Sequence, residues 1–133
     1  MKSYTNIEQS RTLAEILPKE TADQTWQRVA IAGANLGVPE EIQYRHNGDM
    51  PFQIYSGIGV PCWSLAALLD VIKQVKEINH QRVTILVGRF AGNHWYVELL
   101  RVQDERLVEF KHSKELVDTC VEMILRLYEQ KLL

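Results

Sequence analysis

Apolar residues recur at intervals of three and four through two stretches of the chain, a spacing that gives a helix one continuous apolar side. In WSLAALLDVIKQVKEI the recurring positions are Leu65, Leu68, Leu69, Ile72 and Val75. In the closing segment they are Leu116, Val117, Cys120, Val121, Ile124, Leu127 and Tyr128. Ser64 is placed to cap the first of these helices, with Pro61 an alternative occupant of its first turn, and Ser113 is placed to cap the second. An earlier helix is expected after Thr5, whose hydroxyl forms a capping box with Glu8 three residues on. Ile7, Leu13, Ala14, Ile16 and Leu17 supply its apolar face, and Pro18 ends it.

Between the last two helices the period changes to two, the signature of strands. The runs RVTILVGRF, HWYVELLRV and RLVEFKH are joined by AGN and QDE. Connectors this short join antiparallel neighbours, because a parallel pair needs a crossover of about a dozen residues. A three-stranded meander is therefore predicted. Upstream, Glu41 to His46 places Ile42, Tyr44 and His46 on one side. Asn47, Gly48 and Asp49 then turn the chain, and Phe52 to Tyr55 returns as the second strand of a hairpin. From Glu20 to Leu36 two periods compete, and a short strand around Thr25 to Ile31 is the reading adopted. Gly57, Gly59 and Pro61 break the ladder, which puts Cys62 at or just before the start of the second helix. The sum is an α+β fold, an antiparallel sheet (hairpin plus three-stranded meander) with three helices mainly on one face.

A chain of 133 residues without repeats or low-complexity tracts fits one domain, residues 1–133. Fifteen Lys and Arg against seventeen Asp and Glu give a net charge of −2, and the basic residues are scattered. That argues against a broad nucleic-acid footprint, which needs clustered positive charge. Cys62 and Cys120 both lie in apolar surroundings and read as reduced thiols. The opening MKSYTNIEQSRTLAEIL has no signal-peptide pattern, and no stretch approaches the ~20 apolar residues of a membrane span. The expectation is a cytoplasmic protein that is not integral to a membrane.

Three runs carry a resemblance: LAEILPKETAD from Leu13, VPCWSLAALLDVI from Val60, and VDTCVEMILRLYEQKLL from Val117 to the C-terminus. Together they resemble a family of short uncharacterised proteins of gut bacteria of the Bacteroides group, often associated with prophages and other mobile elements. The resemblance implies a bacterial or phage origin and no particular activity.

The sharpest chemical reading is a thiol nucleophile. Cys62 at a helix N-terminus would feel the positive end of the helix dipole, which lowers a thiol pKa. His94 stands at the head of a strand, and Asp104 follows. That order resembles papain-like peptidases and would make Cys62 the nucleophile, His94 the base, and Asp104 or Glu98 its orienter. Against it, Cys62 and His94 are separated by 32 residues, short for that superfamily, and no glutamine before Cys62 is clearly placed to support an oxyanion. The simpler account has Cys62 filling a core gap beside Trp63 as an unreactive thiol, and His94 supporting a turn. The histidines His46, His80, His94 and His112 are isolated and no CxxC pair is present, so no metal site is expected. Gly57 and Gly59 lack the remaining residues of a phosphate loop, and no cofactor is expected.

Trp95 and Tyr96 are adjacent on a strand and must point to opposite faces. An exposed aromatic near Arg89 and Arg101 would suit a protein partner, since such residues are enriched at binding hot spots. The competing account is a lone surface aromatic covering a neighbour's stem. In HWYVELLRV the outward set is either Trp95, Val97, Leu99 and Arg101, or His94, Tyr96, Glu98, Leu100 and Val102. Both are more apolar than a solvated strand needs. The interaction candidates are Trp95, Tyr96, Leu99 and Arg101, self-association into a homodimer is the simplest cover, and the expected function is a non-enzymatic accessory or protein-interaction domain. A papain-like cysteine hydrolase is the competing function.

Overall fold

The computed structural model describes residues 2–29, 40–45 and 60–133. In chain order the elements are α1 (Ile7–Ile16), a 3-10 turn (Lys19–Thr21), β1 (Gln24–Val29), β2 (Glu40–Arg45), β3 (Val60–Cys62), α2 (Leu65–Lys73), β4 (Glu77–Ile78), β5 (Gln81–Phe90), β6 (His94–Arg101), β7 (Leu107–Ser113) and α3 (Leu116–Glu129). The strands form two antiparallel sheets, one ordered β2-β1-β3 and the other β4-β5-β6-β7. The fold is α+β with antiparallel sheets.

Each helix starts where a polar side chain or backbone commitment makes it start. Thr5 is not the cap of α1, because its hydroxyl is buried against Ser10 Oγ at 2.7 Å and accepts from the Trp63 N–H at 3.1 Å. The capping box moves one residue on: Asn6 Oδ1 accepts from Gln9 N and Gln9 Oε1 accepts from Asn6 N. Ser64 caps α2 as expected, accepting from Ala67 N at 3.2 Å while its own N–H donates to Asp23. Ser113 does not cap α3. It is the last residue of β7, paired with Trp95, and its hydroxyl donates to the Glu115 carbonyl at 2.7 Å, leaving Glu115 as the boundary residue.

The strands depart from expectation in two instructive places. Pro61 lies inside β3, where it is tolerated because β3 pairs on one side only and is an edge of its sheet. Cys62 is therefore a strand residue, two positions before the cap of α2. The strand beginning at Glu40 pairs with β1, and the expected partner Phe52 to Tyr55 lies outside the described residues, as does His46. The meander is as predicted in β5, β6 and β7, with the two-residue β4 added at its edge. The AGN turn closes because Gly92 and Asn93 adopt φ of 86° and 63°, left-handed values that these residue types tolerate.

Helix α3 packs on β6 and β7, α2 packs on α3 and touches β5, and α1 packs on β3 and α3. Trp63, Leu68, Val71, Ile72, Val97, Leu99, Val117, Cys120, Met123, Ile124 and Leu127 form the centre of the core, all fully buried or nearly so. Met123, absent from the expected stripe of α3, is buried, whereas Tyr128 is 43% exposed at its end. The buried Trp63 indole N–H is satisfied, donating to Thr21 Oγ1 at 2.9 Å.

Candidate functional site

Side chains of β6 alternate cleanly. Val97 and Leu99 are buried beneath the helices, with Leu99 only 1% exposed, and Trp95 packs on the same side against the core. Arg89 lies over the Trp95 ring, 5.7 Å from its centroid. Of the two outward sets, the structure selects His94, Tyr96, Glu98 and Leu100. Among the interaction candidates, Tyr96 therefore faces away from the helices, while Trp95 and Leu99 face them. Arg101 ends the strand, its guanidinium held by Asp104 through Nε at 3.1 Å and Nη2 at 2.6 Å, and by Gln81 through Nη1 at 2.9 Å.

The face away from the helices is aromatic. Gly88 sits directly opposite Tyr96 in the ladder, and the Tyr96 ring lies over it in space that any Cβ at position 88 would fill. From there the rings run on in contact: Phe90 to Tyr96 at 4.7 Å between centroids, Tyr96 to Phe110 at 6.2 Å, Phe110 to His112 at 5.5 Å, and His112 to His94 at 6.0 Å. These separations fall in the range of favourable offset or tilted aromatic pairs. Leu86, Phe90 and Leu107 on the flanking strands are 44%, 45% and 56% exposed. Among the described residues no helix covers this face.

Sequence reasoning named Tyr96 but missed Phe90, Phe110 and His112. The signal was present: a glycine inside a strand marks a close approach of another group, and alternation in VEFKH sets Phe110 and His112 on one side. Missing was the register, which joins three separately patterned strands into one surface.

The residues of the hydrolase reading are placed apart. Cys62 is fully buried in β3, its sulfur 3.5 Å from both the hydroxyl and the carbonyl oxygen of Thr5 and 3.9 Å from Gln24 Oε1. Gln24 is its partner in the ladder to β1, a glutamine beside Cys62 that sequence order did not reveal. His94 belongs to the other sheet, with its ring beside His112 on the helix-free face. Asp104 lies beyond the far end of β6 from His94. Desolvation works to raise the Asp104 carboxyl and is the largest single influence, but the hydrogen bonds from the Arg106 N–H and the Arg101 guanidinium, with both positive charges, together outweigh it and hold it below the ordinary value. Glu98, the other proposed orienter, projects between Leu86 and Phe110.

A shallow cavity of about 450 Å³ lies at the other end of the sheet, lined by Ile78, Asn79, Gln81, Arg101, Arg106, Leu107 and Val108. Its Arg101 is already neutralised by Asp104. No group of three or more potential metal ligands occurs among the described residues. No helix among them is long and apolar enough to cross a membrane. No protein-family model, no curated protein and no solved structure matches the chain.

Proposed function

We propose that this chain is a non-enzymatic protein-interaction module, an accessory domain of bacterial or phage origin that acts in the reducing cytoplasm. The observation that carries the reading is the helix-free face of β5, β6 and β7, where Phe90, Tyr96, Phe110, His112 and His94 form one layer of touching rings. Aromatic side chains bury much area with few rotatable bonds, which suits them to anchor a partner. A core that needed only its helices would have no use for such a layer, and a solvated face would alternate to polar residues instead. Two buried cysteines that form no disulfide support a reducing compartment.

Affinity capture from a lysate of a Bacteroides-group bacterium, with the whole chain immobilised, tests the reading. Wild-type protein should retain a binding protein that Leu86→Asp and Phe90→Asp both lose, while Lys73→Glu on the exposed side of α2 retains it. Capture unaffected by both face variants contradicts the reading. Rapid, selective alkylation of Cys62 that disappears in His94→Ala would transfer support to the papain-like hydrolase.

A further inference from the structure

Across the helix-free face the outward residues fall into rows: Phe90 beside His94, Gly88 beside Tyr96 and His112, Leu86 beside Glu98 and Phe110, and Thr84 beside Leu100 and Leu107. The acidic group of this layer is Glu98, whose carboxylate has no hydrogen bond or ion pair among the described residues. His94 and Glu98 stand on the same face at equal distances on either side of Tyr96. The face is therefore largely apolar, with the Glu98 acceptor and the His94 donor disposed symmetrically about the Tyr96 ring and a second imidazole, His112, beside that ring.

We infer that a second copy of this chain covers this face, packed sheet to sheet with its β6 running antiparallel over the first and Tyr96 at the crossing. The inference rests on the interaction reading above and names its partner. A two-fold axis lying between the sheets and crossing the strands at Tyr96 is the usual symmetry of a self-complementary pair. It sets Glu98 of each copy against the partner's His94, whose ring N–H donates to the carboxylate. Two such bonds form, and the acceptor that would be stranded under an apolar partner is satisfied. The absence of a side chain at Gly88 lets the Tyr96 ring lie along the sheet, which keeps the face low enough for two sheets to approach to about 10 Å.

The area agrees with an association of moderate strength. Strands of 10, 8 and 7 residues, spaced about 4.8 Å apart, give a flat footprint on the order of 400 Å² per copy. With projecting side chains, two copies remove on the order of 1,000 Å² from water, the low end for specific association. A dissociation constant in the micromolar range is expected.

Sedimentation equilibrium of the full chain tests the inference with four proteins: wild type, Glu98→Lys, His94→Glu, and the double variant. Wild type should dimerise in the micromolar range, each single variant should weaken the dimer by about tenfold or more, and the double variant should recover most of that loss because the pair is restored with its charges exchanged. If a reversal unfolds the chain by circular dichroism, Glu98→Gln and His94→Gln carry the same comparison with smaller shifts. A monomer at every concentration overturns the inference, as does a dimer indifferent to both single variants or a double variant no better than either. A strictly monomeric chain that still loses its captured protein on Phe90→Asp overturns the second copy alone and leaves the interaction reading standing.

Discussion

Leu68 in α2 and Ile124 in α3 have no exposed surface and lie at the contact between the two helices and the sheet. Truncating either to alanine removes buried methyl groups and leaves a cavity the close-packed surroundings cannot fill, so each variant should lose about 2 to 5 kcal/mol in chemical denaturation. Midpoints near wild type for both would contradict the assigned core. The two thiols should be inert in the folded chain. Cys62 is fully buried, and burial pushes the Cys120 thiol up to about 12. Alkylation at neutral pH is expected to be slow for both and to become fast only in denaturant. Asp118 gives a residue-scale pH dependence. Partial burial works to raise its carboxyl, and the hydrogen bonds from Lys2 and Gln9, with the charge of Lys2, overcome this and hold it below the ordinary range. Because folding lowers this pKa, the stabilisation is present above the unfolded carboxyl range and is lost as falling pH protonates Asp118 in the folded chain. Solvent screens the partly exposed pair, so the effect is small, and Asp118→Asn should flatten the acid limb of the stability profile without moving the neutral value by more than about 1 kcal/mol. An acid limb unchanged by the substitution would contradict the assignment.

At the scale of elements, Gly88 and Tyr96 make a cross-strand pair in which the absence of one side chain accommodates the other. Gly88→Ala should displace the Tyr96 ring from β5. Since that ring lies toward solvent and can swing, the stability loss should be modest, about 1 to 2 kcal/mol, with a clear change in the near-ultraviolet circular dichroism of the aromatic layer. An unchanged aromatic spectrum would place the ring elsewhere. The helices and the meander were legible because their periods, 3.6 and 2, are properties of short stretches. Boundaries were less so, and for a physical reason: Thr5 and Ser113 both have capping chemistry, but the Thr5 hydroxyl is engaged by Ser10 and by the distant Trp63 N–H, and the Ser113 hydroxyl donates to the carbonyl of Glu115 two residues on. β3 was hidden because proline reads as a breaker wherever the strand's position in the sheet is unknown.

For the whole molecule, the surface proposed to carry function was half legible. Alternation in HWYVELLRV told that one apolar set must point away from the helices, and Tyr96 was among the candidates. Which set did so, and which residues of β5 and β7 joined it, depended on a pairing register that no single strand encodes. The cysteine reading illustrates the opposite case, in which an order of residue types along the chain suggested a site whose members the fold places on different sheets. The central claim is that the aromatic layer is open in the isolated chain and becomes covered on association. Hydroxyl-radical footprinting of Phe90, Tyr96 and Phe110 across a dilution series spanning the micromolar range tests it most directly. The account predicts labelling of all three at high dilution and protection of all three together as the concentration rises, with Tyr128 at the end of α3 labelled throughout. Rings that resist labelling even in the most dilute protein, or that stay labelled at every concentration and in the presence of any captured protein, would contradict it.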